Sequence, residues 1–100
     1  MIVELSVVPL GVGESLSEYV TRAVKVIEDS DVEYRVTPMG TILRIDNFIE
    51  LGKLLEKIKE ELRDDCPRLY FVIKVDERFK EYDMEYKVRS VEEKLKKLRD

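Results

Sequence analysis

The order in which hydrophobic periodicity changes along this 100-residue chain restricts its fold more than any single motif does. Residues 2–8, IVELSVV, are rich in β-branched side chains and run into Pro9. Strand alternation sends Val3, Leu5 and Val7 one way and Ile2, Glu4, Ser6 and Val8 the other. From Ser15 to about Ser30 the period lengthens, placing Leu16, Val20, Ala23, Val24 and Ile27 on one helical face. Two short strands are predicted over 33–38 and 41–46, with Met39-Gly40 as the turn between them. Asn47 opens a second helix whose Leu51, Leu54, Leu55, Ile58 and Leu62 share a face. RLYFVIKVD, 68–76, gives the strongest strand signal: Leu69, Phe71, Ile73 and Val75 alternate with Tyr70, Val72 and Lys74. A charged loop, 77–86, precedes a last helix from about Val88, with Val91, Leu95 and Leu98 on one stripe.

That order is β-α-β-β-α-β followed by a helix. Right-handed crossovers turn it into an α+β, ferredoxin-like βαββαβ sandwich with an extra C-terminal helix, the first two helices covering one face of an antiparallel sheet. One hundred residues make this a single domain spanning 1–100. The first strand is expected between the third and fourth. The second sheet face is then left open, carrying Glu4, Ser6, Arg44, Tyr70, Val72 and Lys74, with Glu4 between Arg44 and Lys74. A face so polar cannot serve as a core, and a partner subunit is its natural cover.

Composition removes several function classes. The chain contains no histidine, which excludes His-based acid–base catalysis, Ser–His and Cys–His nucleophile pairs, and the usual zinc sites. Cys66 is the single cysteine, so no intrachain disulfide forms; it sits in DDCPRL, among acids that would raise a thiol pKa. No carboxylate spacing points to an oxygen-only metal site, and no cofactor is expected. Net charge of -4 and a pI near 5.0 argue against nucleic acid as a partner. No apolar run approaches the roughly 20 residues that span a bilayer, and no signal peptide is expected before IVELSVV, so the expected location is cytoplasmic. Abundant Glu and Lys with no Gln and one Asn fit a thermophile.

Three stretches carry the candidate chemistry. In PLGVGESLSE, 9–18, Ser15-x-x-Glu18 has capping-box spacing, as does Asn47-x-x-Glu50 at the second helix. The glycines match neither the phosphate loop, whose lysine is missing, nor G-x-G-x-x-G, since position 16 is Leu. What remains is a helix start with free amides and hydroxyls, suited to a polar or anionic group. TPMGT, 37–41, reads either as a hairpin turn using Gly40 or as a sheet end presenting the Thr37 and Thr41 hydroxyls. KVDERF, 74–79, reads as a solvated strand end or a subunit salt bridge. Other functions of this architecture fail on their residues. TILRID lacks the strand aromatics of an RNA-recognition sheet, C-x-x-C is absent, and the first loop has no arginine for an acylphosphatase-like site.

The segments ELSVVPLGVGESLSEYV, YRVTPMGT, IKVDER and MEYKVRSVEEKL, in this order and spacing, resemble the small thiamine-binding family of archaea, bacteria and yeast. The similarity covers nearly the whole chain and is strongest at Pro9-Leu10-Gly11-x-Gly13-x-Ser15-x-Ser17 and Pro38-Met39-Gly40-Thr41. It implies a homodimer or tetramer assembled through sheet faces, binding thiamine or its hydroxymethylpyrimidine half without catalysis. The candidate ligand residues are Ser15, Ser17, Met39, Gly40, Thr41 and Arg44, with Ser17 and Thr41 as polar contacts; Glu4, Lys74, Asp76, Arg78 and Lys87 are assigned to assembly. The chain departs from the family where TILRI puts Arg44 at a position usually acidic. An arginine there neither accepts from an aminopyrimidine nor attracts a thiazolium cation, so an altered ligand preference is expected. The alternative is a structural or regulatory interaction module with no ligand site.

Overall fold

The computed structural model describes residues 1–14, 16–80 and 83–100. Strand β1 (Ile2–Leu10), helix α1 (Leu16–Asp29), strands β2 (Glu33–Thr37) and β3 (Gly40–Arg44), helix α2 (Phe48–Leu62), strand β4 (Arg68–Asp76) and helix α3 (Tyr86–Arg99) follow one another along the chain. The strands form one antiparallel sheet in the order β2-β3-β1-β4. Order and connectivity are consistent with the ferredoxin-like sandwich.

The core lies between one sheet face and the first two helices. Val3, Leu5 and Leu43 meet Ala23 and Ile27 of α1 and Leu51, Leu54, Ile58 and Leu62 of α2, all buried. Each large side chain so buried stabilises the fold by about 1.5–3 kcal/mol relative to exposure. Asn47 caps α2 as its spacing predicts: its side-chain oxygen accepts from the Glu50 amide at 2.9 Å. The Ser15 capping box lies outside the described residues. Midway along α1, Arg22 ties that helix to the C-terminal end of α2, donating to the Glu61 carboxylate and carbonyl at 3.1 and 2.6 Å and meeting Asp65 at 2.9 Å.

Several boundaries and neighbours differ from the sequence reading. Strand β1 runs two residues past position 8, through Pro9, because pairing with β4 continues to Leu10↔Arg68. Proline is tolerated there because the pairing of β1 with β3 ends at Leu5↔Thr41, so this stretch has a partner strand on one edge only. The β2–β3 turn is Pro38-Met39, since Thr37 pairs with Gly40. Proline presets the backbone angle at the first turn position, which moves the turn back by one residue. Glu4 stands opposite Lys74 and Ile42, while Arg44 stands opposite Ile2 and Glu33. Alternation assigns residues to a face, but it does not set the register between strands joined through a helix.

The second sheet face is also less open and less polar than expected. Ile2 and Ile42 share it with Glu4 and Ser6, and the start of α3 crosses it. A cleft of about 520 Å³ lies there between Ile2, Arg35, Ile42 and Asp76 of the sheet and Met84, Val88 and Val91. Ion pairs Arg35–Glu85 and Lys87–Asp76 (3.0 Å) hold the start of α3 to the sheet. The helix begins at Tyr86, two residues before the expected start, and none of its side chains is buried.

Candidate functional site

The early end of the β1–β3 pairing creates the site. Beyond Leu5 the β2–β3 hairpin no longer pairs with β1, while α1 passes over the gap. A cleft of about 230 Å³ remains, with the Leu5–Val8 stretch of β1 on one side. Val20, Ala23, Val24 and Ile27 of α1 and the hairpin segment from Val36 to Thr41 complete it. Among the described residues no charged side chain lines it.

The hairpin is held in place by its own hydroxyls. The Thr37 hydroxyl donates to the Gly40 carbonyl at 2.8 Å and accepts from the Met39 amide at 3.3 Å, bracing the turn from inside. The Ser6 hydroxyl donates to the Met39 carbonyl at 3.0 Å and fixes the turn against β1. Gly40 is required by space: a Cβ there would stand 3.0 Å from the Leu5 carbonyl oxygen. Thr41 is the one buried polar residue of the described core, 6% exposed. Its side chain lines the cleft, and its hydroxyl hydrogen-bonds to none of the described residues. At the rim Met39 is 80% exposed and Val36 is 56% exposed, an apolar border around a small polar interior.

Of the ligand residues named from the sequence, Met39, Gly40 and Thr41 come together here. Ser17 does not line the cleft; it is exposed in the first turn of α1, where its carbonyl accepts from the Thr21 hydroxyl at 2.7 Å. Ser15 lies outside the described residues. Arg44 is three positions from Thr41, so alternation turns it to the opposite sheet face. It borders two other clefts with Asp46, one of about 380 Å³ against Glu50, Lys53 and Lys57 of α2 and one of about 280 Å³ beside Met1 and Ile2. Val20 and Val24 line the cleft although the sequence reading placed them in the core, and Ser6, on the open face as expected, reaches the site through its bond to the Met39 carbonyl. Their only sequence signal is ordinary amphipathic spacing.

The assembly residues gather on the other side of the sheet. Glu4 meets Lys74 at 3.7 Å, Asp76 meets Lys87 at 3.0 Å, and the Arg78 guanidinium lies 5.6 Å from the Tyr86 ring centre. The first joins β1 to β4, and the other two join the end of β4 and the residues after it to the start of α3 within one chain. Cys66 is buried, and burial is the main cause that pushes its thiol pKa up; Asp65 adds to this and Arg22 opposes it. The sequence pointed to the neighbouring acids, which are the smaller effect. Among the described residues no three Cys, Asp or Glu side chains converge as metal donors, and no helix is long and apolar enough to cross a membrane.

Known proteins resemble this chain along nearly its whole length, the hairpin-and-helix cleft included. A family model described as thiamine-binding protein matches residues 3–92, which includes every segment that forms it. The chain belongs to the thiamine-binding protein family. Relatives of this family member include UPF0045 protein Mb1933 of Mycobacterium bovis, 38% identical over 96 residues, covering 95% of this chain and 94% of the relative. UPF0045 protein MJ1052 of Methanocaldococcus jannaschii is 33% identical over 94 residues, 93% of each chain. The crystal structure of MJ1052 superposes with a TM-score of 0.81, covering 92% of this chain and 95% of that one. A Thermotoga maritima protein named as a candidate for thiamine biosynthesis or salvage shares the fold, with a TM-score of 0.78 at 23% identity over 90% of this chain and 96% of that one.

Proposed function

We propose that this member of the thiamine-binding family is a non-catalytic small-molecule-binding protein, and that the hairpin-and-helix cleft takes the hydroxymethylpyrimidine half of thiamine. The observation that carries the reading is the Thr41 hydroxyl, on a residue 6% exposed that lines the cleft, with no protein partner among the described residues. A hydroxyl both donates and accepts, so it can meet a ring nitrogen or an exocyclic amine. Val20, Val24 and Val36 supply flat apolar contact for the ring faces. At about 230 Å³ the cleft is smaller than the roughly 300–1,000 Å³ typical of drug-sized ligands, which favours one ring inside and the remainder at the rim. Among the described residues the lining offers no carboxylate to attract a thiazolium and no base to activate a hydroxyl, which supports recognition through the neutral ring and argues against turnover.

Arg44 stands outside this lining, so the altered preference expected from its charge is not part of the reading. A homo-oligomer is retained, supported by the uncovered Val88, Val91 and Leu95 stripe of α3 over the sheet face. The same stripe favours a second reading, an interaction module without a ligand. Calorimetric titration of the purified protein with thiamine and with 4-amino-5-hydroxymethyl-2-methylpyrimidine separates the two. Comparable affinity for both compounds supports the pyrimidine cleft; absence of binding heat and of any competition for either supports the module.

A further inference from the structure

Helix α3 and the sheet face each other without packing. On the sheet side Ile2 and Ile42 are half-buried; on the helix side Val88 and Val91 stay 43% and 53% exposed, and α3 buries none of its side chains. Two ion pairs stand between the layers as pillars, Arg35–Glu85 on the β2 flank and Lys87–Asp76 on the β4 flank. They hold the helix start at a height that these aliphatic side chains do not fill. The resulting cleft of about 520 Å³ is larger than the hairpin cleft and falls within the roughly 300–1,000 Å³ typical of small-molecule sites.

Its lining is apolar in the middle and charged at the border. Ile2, Ile42, Met84, Val88 and Val91 form the walls, with no aromatic ring among them. At the border three carboxylates, Asp76, Glu85 and Glu92, stand against two cations, Arg35 and Lys87. The pillars use one of each sign, which leaves Glu92 over; it has no hydrogen bond or ion pair with any described residue. Glu92 lies four residues beyond Val88 on the same helix face, so it stands at the end of the apolar walls away from the pillars. Apolar walls ending in one uncompensated negative charge suit a molecule with an apolar body and one positive charge. A quaternary cation favours aromatic faces, which this lining lacks, whereas a primary ammonium donates directly to a carboxylate.

We propose that the cleft beneath α3 is a second small-molecule site, whose ligand is a primary amine on an apolar body with Glu92 as the partner of the ammonium group. The pillars enclose the space on both flanks, and a helix or strand of another protein would have to displace them. Leu95 and Leu98 lie beyond the lining and stay exposed, free for a second copy to cover. No residue lines both this cleft and the hairpin cleft, so the two sites are independent.

Two probes matched in their apolar body, 4-phenylbutylamine and 4-phenylbutyrate, differ in the sign of the charged end. Each is titrated into the full protein while amide nitrogen–proton spectra are recorded. The amine is expected to shift Ile2, Ile42 and Val88–Glu92 saturably and to bind about tenfold more tightly than the carboxylate, a preference that shrinks at high salt. Glu92→Gln should weaken the amine about 2- to 5-fold, the worth of one exposed ion pair, without weakening the carboxylate. Val88→Phe, which fills the cleft from a partly exposed helix position, should abolish binding of both; far-ultraviolet circular dichroism confirms that each variant is folded. Saturating hydroxymethylpyrimidine should leave the amine affinity unchanged. Equal binding of the two probes, or an amine affinity that Glu92→Gln does not alter, would overturn the proposal. So would the absence of a saturable response up to about 5 mM amine, which would leave the cleft to a second copy.

Discussion

Gly40 packs against Leu5 so closely that an added methyl group would lie 3.0 Å from the Leu5 carbonyl oxygen. The same methyl would stand 2.9 Å from the Ser6 hydroxyl, the group that holds the turn. Backbone therefore meets backbone where the hairpin leaves β1, and that contact sets the height of the cleft.

Gly40→Ala is accordingly expected to destabilise the fold by about 1–3 kcal/mol, the usual cost of overpacking a tight contact. For a domain of this size, each kcal/mol lowers the melting temperature by about 4–8 °C. Ligand affinity should fall as well, because Met39 and Thr41 move with the turn. Thermal unfolding checks the first effect and calorimetry the second. An alanine variant as stable as the wild type would show that the hairpin is not anchored here.

Thr41→Val keeps the shape of the side chain and removes the hydroxyl. The hydroxyl has no partner among the described residues, so folding stability should stay equal or rise slightly. Pyrimidine affinity should fall about 2- to 10-fold, the equivalent of one hydrogen bond worth about 0.5–1.5 kcal/mol. Loss of stability without loss of affinity would assign Thr41 to packing alone.

Arg44→Glu tests whether the charge at this position reaches the cleft. With Arg44 on the opposite sheet face, the affinity for the pyrimidine fragment should change less than about twofold at physiological ionic strength, where screening acts over about 8 Å. A tenfold gain on introducing the carboxylate would return Arg44 to the binding site.

Periodicity carried most of the fold. Val3, Leu5, Ile27, Leu54, Ile58 and Leu62 are buried where the 3.6- and 2-residue patterns put them. What periodicity could not supply was register and reach. It put Glu4 beside both Arg44 and Lys74, whereas the ladder gives it Lys74 and Ile42. It put Val20 and Val24 in the core, because a residue lining a cleft beside the core has the same spacing as one within it. The Met39-Gly40-Thr41 part of the site was legible, since turn chemistry and hydroxyls fall together in TPMGT. The contribution of Ser6 was not, because it depends on where the β1–β3 ladder ends.

Stability should respond to pH through the pair that joins the end of α1 to β2. The Tyr34 hydroxyl donates to Glu28 at 2.7 Å, and this bond, with Lys25 beside it, holds the Glu28 carboxyl below its ordinary pKa. The contribution of Glu28 is present above the unfolded carboxyl pKa and is lost as pH falls through the lower folded value. The same bond raises the Tyr34 pKa, so its contribution is present below about pH 10 and is lost as pH rises past the folded value. Tyr34→Phe should flatten the alkaline limb of a melting-temperature profile and shrink the acid one. An unchanged profile would show that the bond does not persist in solution.

Residue-resolved mapping of the bound ligand is the most direct test of the cleft. Amide nitrogen–proton spectra should be recorded while the hydroxymethylpyrimidine is titrated into the full protein. Shifts should concentrate in Ser6–Val8, Val20–Val24 and the hairpin from Val36 to Thr41, leaving Glu33, Arg44 and Lys53 at the far cleft unmoved. Saturable shifts centred on Arg44 and Lys53, with the hairpin silent, would contradict the account.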